Sequence, residues 1–129
     1  MFYRLLRKDE SIANDLCAKN LDSKTSVFVH VTKGSYGPQS KYISTCGCPD
    51  AVAYLKGKST KPGKIEKIDE DKLRLSGVEI IDLRRKETRD LYIDKGATAE
   101  SIEKFHNFAK KFEEVLIVGK VPKSCLIDD

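Results

Sequence analysis

Apolar residues in this 129-residue chain come in short runs, and none approaches the ~18 consecutive apolar residues of a membrane span. Runs this brief suit strands better than long core helices. The candidates are FYRLLR at 2–7, SVFVHV at 26–31, KYISTC at 41–46, KIEKI at 64–68, VEIIDL at 78–83 and EVLIVGKVP at 114–122. Each is rich in β-branched or aromatic residues and is bounded by turn formers or charges. KIEKI alternates apolar and polar positions, as a half-buried strand does. Pro122 closes the last run.

Helical signals separate these runs. Asp9 or Ser11 is placed to cap a short helix reaching about Ala18. Pro49 can start a helix over PDAVAYLKG, with Gly57 ending it. DEDKLRLSG reads as a short helix or turn, and RRKETRDLYIDKG is charged without a clear period. From Thr98 to Phe112, Ile102, Phe105, Phe108, Ala109 and Phe112 recur three, four and one apart, which makes one amphipathic face. Thr98 or Ser101 can cap that helix. Segments 20–24, 33–40 and 59–64 read as turns or loops. Strands cluster instead of alternating strictly with helices, so the expected class is α+β, in one domain over 1–129.

Charged residues make up 34% of the chain, but the net charge is only +4, because the signs are mixed along it. That pattern describes a solvated surface and argues against a nucleic-acid stripe. The N-terminus MFYRLLRKDE lacks an apolar signal segment. The expectation is therefore a cytoplasmic monomer without membrane contact, with secretion by a signal-independent route left open. The four cysteines are then expected as reduced thiols. Cys46-Gly47-Cys48 is a C-x-C pair with no second close pair, so no metal site is expected.

Three runs carry a polar residue that apolar packing does not require. Arg4 follows Tyr3 in the first, Ser44 and Thr45 follow Tyr42-Ile43 in the middle, and Glu113-Glu114 precede Val115-Leu116-Ile117 near the end. A buried charge is unfavourable unless it is paired or bound to a ligand. This order, Arg then Ser-Thr then Glu on successive strands, resembles the R-S-E pattern of the ADP-ribosyltransferase family. The closing NFAKKF and GKVP segments are similar to small members of toxin and effector type, and the likeness runs from about Tyr3 to Pro122.

The resemblance implies a split, antiparallel-rich α+β sheet with flanking helices and NAD, as substrate, in the cleft between its halves. It implies cleavage of the nicotinamide–ribose bond, by a mono-ADP-ribosyltransferase or an NAD glycohydrolase. Glu114 would stabilise the ribose cation, Arg4 would hold the pyrophosphate or ribose side of NAD, and Ser44 would orient Glu114, with Thr45 beside it. Arg7 competes with Arg4, but Arg4 follows the aromatic residue as the motif requires. His30 and Tyr42 are further candidates for NAD contact, and Tyr36 or Tyr42 is placed to stack on nicotinamide. Arginine-modifying members carry Glu or Gln where this chain has Phe112, so arginine is not the expected acceptor. Another protein side chain or a nucleic acid stays open as acceptor. A nucleic-acid-binding or RNA-processing module, and a non-catalytic protein-binding domain on the same fold, are the alternative readings.

Overall fold

The computed structural model describes residues 1–34, 37–59 and 63–127. Its elements are β1 (Phe2–Leu5), β2 (Leu16–Cys17), α1 (Val27–Lys33), β3 (Tyr42–Cys46), α2 (Pro49–Lys58), β4 (Ile65–Ile68) and α3 (Glu70–Leu75). They continue with β5 (Ile80–Asp82), α4 (Lys86–Asp90), α5 (Ala99–Lys111), β6 (Glu114–Val118), β7 (Lys120–Val121), a 3₁₀ turn (Lys123–Cys125) and β8 (Leu126–Ile127). Six strands form one sheet in the order β5-β6-β3-β1-β4-β8, and every pairing in it is antiparallel. β2 and β7 form a separate two-stranded ribbon. The class is α+β. Among the described residues, no helix is long and apolar enough to cross a membrane.

Strand alternation gives the main sheet two buried faces. One face presents Phe2, Ile43, Ile68, Val115 and Ile117 to a core completed by Leu16, Leu73, Val121 and Cys125. The other face is covered in two pieces. α1 and α5 pack Val27, Phe28, Val31, Phe105 and Ala109 onto Ile81 and Leu116. α2 packs Ala51 and Val52 beside Tyr3, Leu5 and Cys46. The gap between these pieces lies over the join of the sheet's two halves. There β1 and β3 share one register pair, Tyr3 with Cys46, while β1–β4 pair over four residues and β3–β6 over five.

Several sequence expectations change. SVFVHV is not a strand but most of α1. Ser26 caps it by accepting the Val29 N–H, and Val27, Phe28 and Val31 fall on one helical stripe toward α5. Its β-branched residues favour a strand locally, and packing against Phe105 overrides that preference. The helix expected over 9–18 is absent. Ser11 instead takes the Ala13 N–H onto its hydroxyl and the Asn14 N–H onto its carbonyl, and the chain turns into β2. Gly57 does not end α2, which runs to Lys58 with Ser59 as its C-cap. The strand expected over 114–122 breaks at Gly119, whose φ of +89° is a glycine conformation. That break sends β7 to the β2 ribbon.

Other elements follow the residues. Thr98 caps α5 by accepting the Ser101 N–H, and Asp69 caps α3 in the same way from Lys72. The charged segment 84–96 contains α4, anchored by buried Arg89, which donates to the Leu83 and Arg84 carbonyls. Expectations for Tyr36 and for residues 60–62 of the 59–64 loop fall on residues outside the described set.

Candidate functional site

The gap between the two helical pieces is a cavity of about 560 Å³. Pockets of roughly 300–1,000 Å³ suit small ligands and cofactors. Its floor is the β1–β3–β6 junction, and its walls come from α1, α2, the end of α5 and residues 37–40. Arg4, His30, Tyr42, Ser44, Thr45 and Glu114 all border it. Arg7 and Lys19 add positive charge, and Leu55, Phe108 and Phe112 add apolar surface.

Register explains the placement on the floor. Cys46 pairs with both Tyr3 and Glu114, and Ser44 pairs with Leu116, so these side chains share the cavity face. Glu114 is 9% exposed. Burial pushes its carboxyl up to about 7, against the opposing pull of the Ser44 hydroxyl's hydrogen bond and the Arg4 charge. The carboxyl therefore changes charge near neutral pH. Cys46, beside it, is pushed up to about 12 by burial and by the Glu114 charge, so it stays a neutral thiol. All four cysteines are free.

Ser44 is the second member of a chain of contacts. His30 Nε2 lies 2.7 Å from Ser44 Oγ, and His30 Nδ1 lies 2.6 Å from Ser40 Oγ. The Tyr42 N–H donates to Ser40 Oγ at 3.2 Å. Burial and the nearby Arg4 charge lower the His30 pKa to about 4, so the imidazole is neutral at pH 7. The Tyr42 ring stands edge-on to His30 with centroids 5.6 Å apart. Helix α1 thus brings His30 onto β3 from above, where the expected strand would have put it in the sheet.

Arg4 lies next to this chain but is engaged by the protein itself. It is in register with Glu66, on the opposite sheet face from Tyr3 and Leu5, and its guanidinium turns to the β3 edge. There Nη1 donates to the Ser44 carbonyl at 2.6 Å. Nε and Nη2 donate to the Glu10 carboxylate at 3.2 and 3.0 Å. Both partners are buried, with side chains 8% and 4% exposed. The Glu10 carboxylate also accepts the Arg7 N–H, which locks the turn after β1. Arg4 therefore has few donors left for a ligand, and Lys19, Lys33 and Arg7, the last itself paired with Asp9 and Glu10, are the more accessible cations of the cavity wall. Thr45 is likewise committed, since its hydroxyl donates to the Val115 carbonyl at 2.7 Å.

Glu113 does not stand on the strand. It occupies the turn between α5 and β6 with φ +48°, and its carbonyl accepts the Gly47 N–H. It does not border the cavity. Two site residues were not singled out from the sequence. Glu10 sits in the charged run RKDE, which looks like any solvated turn, and Ser40 ends a polar loop. Neither carries a local signal, because each acquires its role only through a partner distant along the chain. Among the described residues, no cluster of three or more His, Cys, Asp or Glu is arranged to hold a metal.

Comparison of the chain with family models, with curated proteins and with solved structures returned no match.

Proposed function

We propose that this protein is an NAD-cleaving enzyme of the ADP-ribosyltransferase type, acting as a mono-ADP-ribosyltransferase or an NAD glycohydrolase. The observation that carries this reading is the Glu114 carboxyl on the floor of a cavity of about 560 Å³, held by Ser44 and flanked by Arg4. The three residues of the R-S-E pattern thus border one space.

In this reading the nicotinamide–ribose C–N bond breaks and its electron pair leaves with nicotinamide. The ribose carbon becomes cation-like, as in glycoside cleavage. Ionised Glu114 offers the nearest negative charge, and buried surroundings strengthen that attraction. Water or an acceptor hydroxyl then bonds to the ribose carbon, and its proton passes to Glu114. Ser44 is a positioning residue for the carboxylate. Arg4 is a positioning residue too, fixing the Ser44 carbonyl through the Glu10 pair. Arg7 and Lys19 would receive the pyrophosphate, and Tyr42, Phe108 and Phe112 would offer ring faces to the nicotinamide or adenine. Phe112 presents no carboxylate to an incoming guanidinium, which favours an acceptor other than arginine.

The test is incubation with NAD, reading free nicotinamide by chromatography, alone and with protein or nucleic-acid acceptors. Release by wild type and its loss in Glu114→Gln are expected. No release by wild type under any acceptor condition would reject the reading.

A further inference from the structure

We infer that Ser40, His30 and Ser44 form a proton wire to Glu114, and that His30 exchanges its ring tautomer whenever Glu114 gains or loses a proton. The inference rests on the two imidazole contacts and on the strand register that sets Ser44 diagonally beside Glu114 on the cavity face, and it holds whether or not NAD is the ligand.

The donors and acceptors fix the direction of the wire. When Glu114 is ionised it can only accept, so the Ser44 O–H points to it. Ser44 Oγ then accepts from His30, which places the ring proton on Nε2. Nδ1 is left as an acceptor and takes the Ser40 O–H. When Glu114 is protonated, every bond can reverse. The carboxyl O–H donates to Ser44 Oγ, the Ser44 O–H donates to His30 Nε2, and Nδ1–H donates to Ser40 Oγ. One proton enters at the Ser40 hydroxyl and one arrives on Glu114. Each intervening proton shifts by one bond, so no charge is left behind. The ring stays neutral in both end states.

The surroundings favour such a route. Glu114 is 9% exposed and Ser40 is 5% exposed, and both border the cavity. The 2.6 and 2.7 Å separations on either side of the imidazole are short enough for strong hydrogen bonds. The charged and titratable groups facing the wire are Arg4 from β1 with its partner Glu10, Tyr42 and Cys46 from β3, Lys33 from α1, and Arg7 and Lys19 from the flanking loops. Burial and the adjacent Arg4 guanidinium both oppose an imidazolium at position 30, so protons pass through neutral tautomers. Such a wire lets a buried carboxyl discard the proton it takes from a nucleophile without admitting bulk water to the ribose.

Long-range proton–nitrogen NMR of the ¹⁵N-labelled full chain tests this. The chain has two histidines. His106, whose Nδ1 accepts from Arg89 Nε at 2.9 Å, is the internal control. Between about pH 5.5 and about pH 9, the protonated and unprotonated nitrogens of His30 are expected to exchange shifts, centred near the Glu114 titration, without an imidazolium signature. Glu114→Gln should hold one tautomer across that range. Ser44→Ala, which cuts the wire but leaves the carboxyl, should abolish the coupling and serves if Glu114→Gln fails to fold. A His30 tautomer unchanged with pH in the wild type would overturn the inference, as would the same exchange persisting in Ser44→Ala. The measurement uses no NAD, so its failure is distinct from failure of the enzyme reading.

Discussion

Glu114→Gln separates stability from activity in opposite directions. Folding raises the Glu114 pKa from 4.5 to about 7. Between those values the folded protein holds a proton that the unfolded chain has lost. The group's contribution to stability is complete below pH 4.5 and is lost as pH rises through about 7. At ~1.4 kcal/mol per pKa unit, an ionised Glu114 costs the fold up to about 3 kcal/mol at pH 8. Gln keeps the size and the Ser44 contact but carries no charge, so it escapes that cost. His30 acts with the opposite sign, since folding lowers its pKa from 6.5 to about 4. Its contribution is complete above pH 6.5 and is lost as pH falls toward 4. In the wild type these two slopes oppose each other between about pH 4.5 and pH 6.5, and His106, whose pKa burial and the Arg89 charge lower, adds a rise of the same sign as His30 in both proteins. In Glu114→Gln the His30 limb is exposed, and stability should rise over that range. Urea unfolding of both proteins at about pH 5 and about pH 8 reads the difference as a shift of midpoint at constant slope. The variant should gain on the wild type by up to about 3 kcal/mol between the two conditions. An offset equal at both pH values would refute the argument, because it would mean that Glu114 titrates alike folded and unfolded. Nicotinamide release should move the other way. The variant loses the counter-charge to the ribose cation and should be slower on the order of 10²–10³-fold. Wild-type rate should climb with pH through about 7 as the carboxylate forms.

Glu10→Gln should destabilise the protein by about 3–5 kcal/mol in denaturant unfolding, since it leaves the buried Arg4 charge without its partner. Glu113→Gly should leave nicotinamide release near wild type and raise stability by up to about 1 kcal/mol, because position 113 holds a left-handed φ of +48° that glycine adopts without strain. Gly63→Ala should lower the urea midpoint by the equivalent of about 1–3 kcal/mol, since an added Cβ would press on the Leu6 carbonyl beside the Leu6–Lys64 hydrogen bond.

What the sequence determined by itself was local. β3 and α5 are legible because KYISTC satisfies the strand preference and the 98–112 stripe satisfies the helical period, and packing agrees with both. Arg4, Ser44 and Glu114 stood out for the same reason, as polar residues on apolar runs. The tertiary structure decided what local preference leaves degenerate. Val27, Phe28, Val31 and the His between them serve equally as strand or helix until Phe105 supplies the surface they bury against. The same docking turns His30 onto Ser44 and creates the Ser40–His30–Ser44–Glu114 chain. Glu10 looks solvated in sequence and is buried in space because Arg4 needs a counter-charge. The raised Glu114 pKa has the same origin: desolvation depends on what surrounds a group in three dimensions, and no spacing along the chain encodes it.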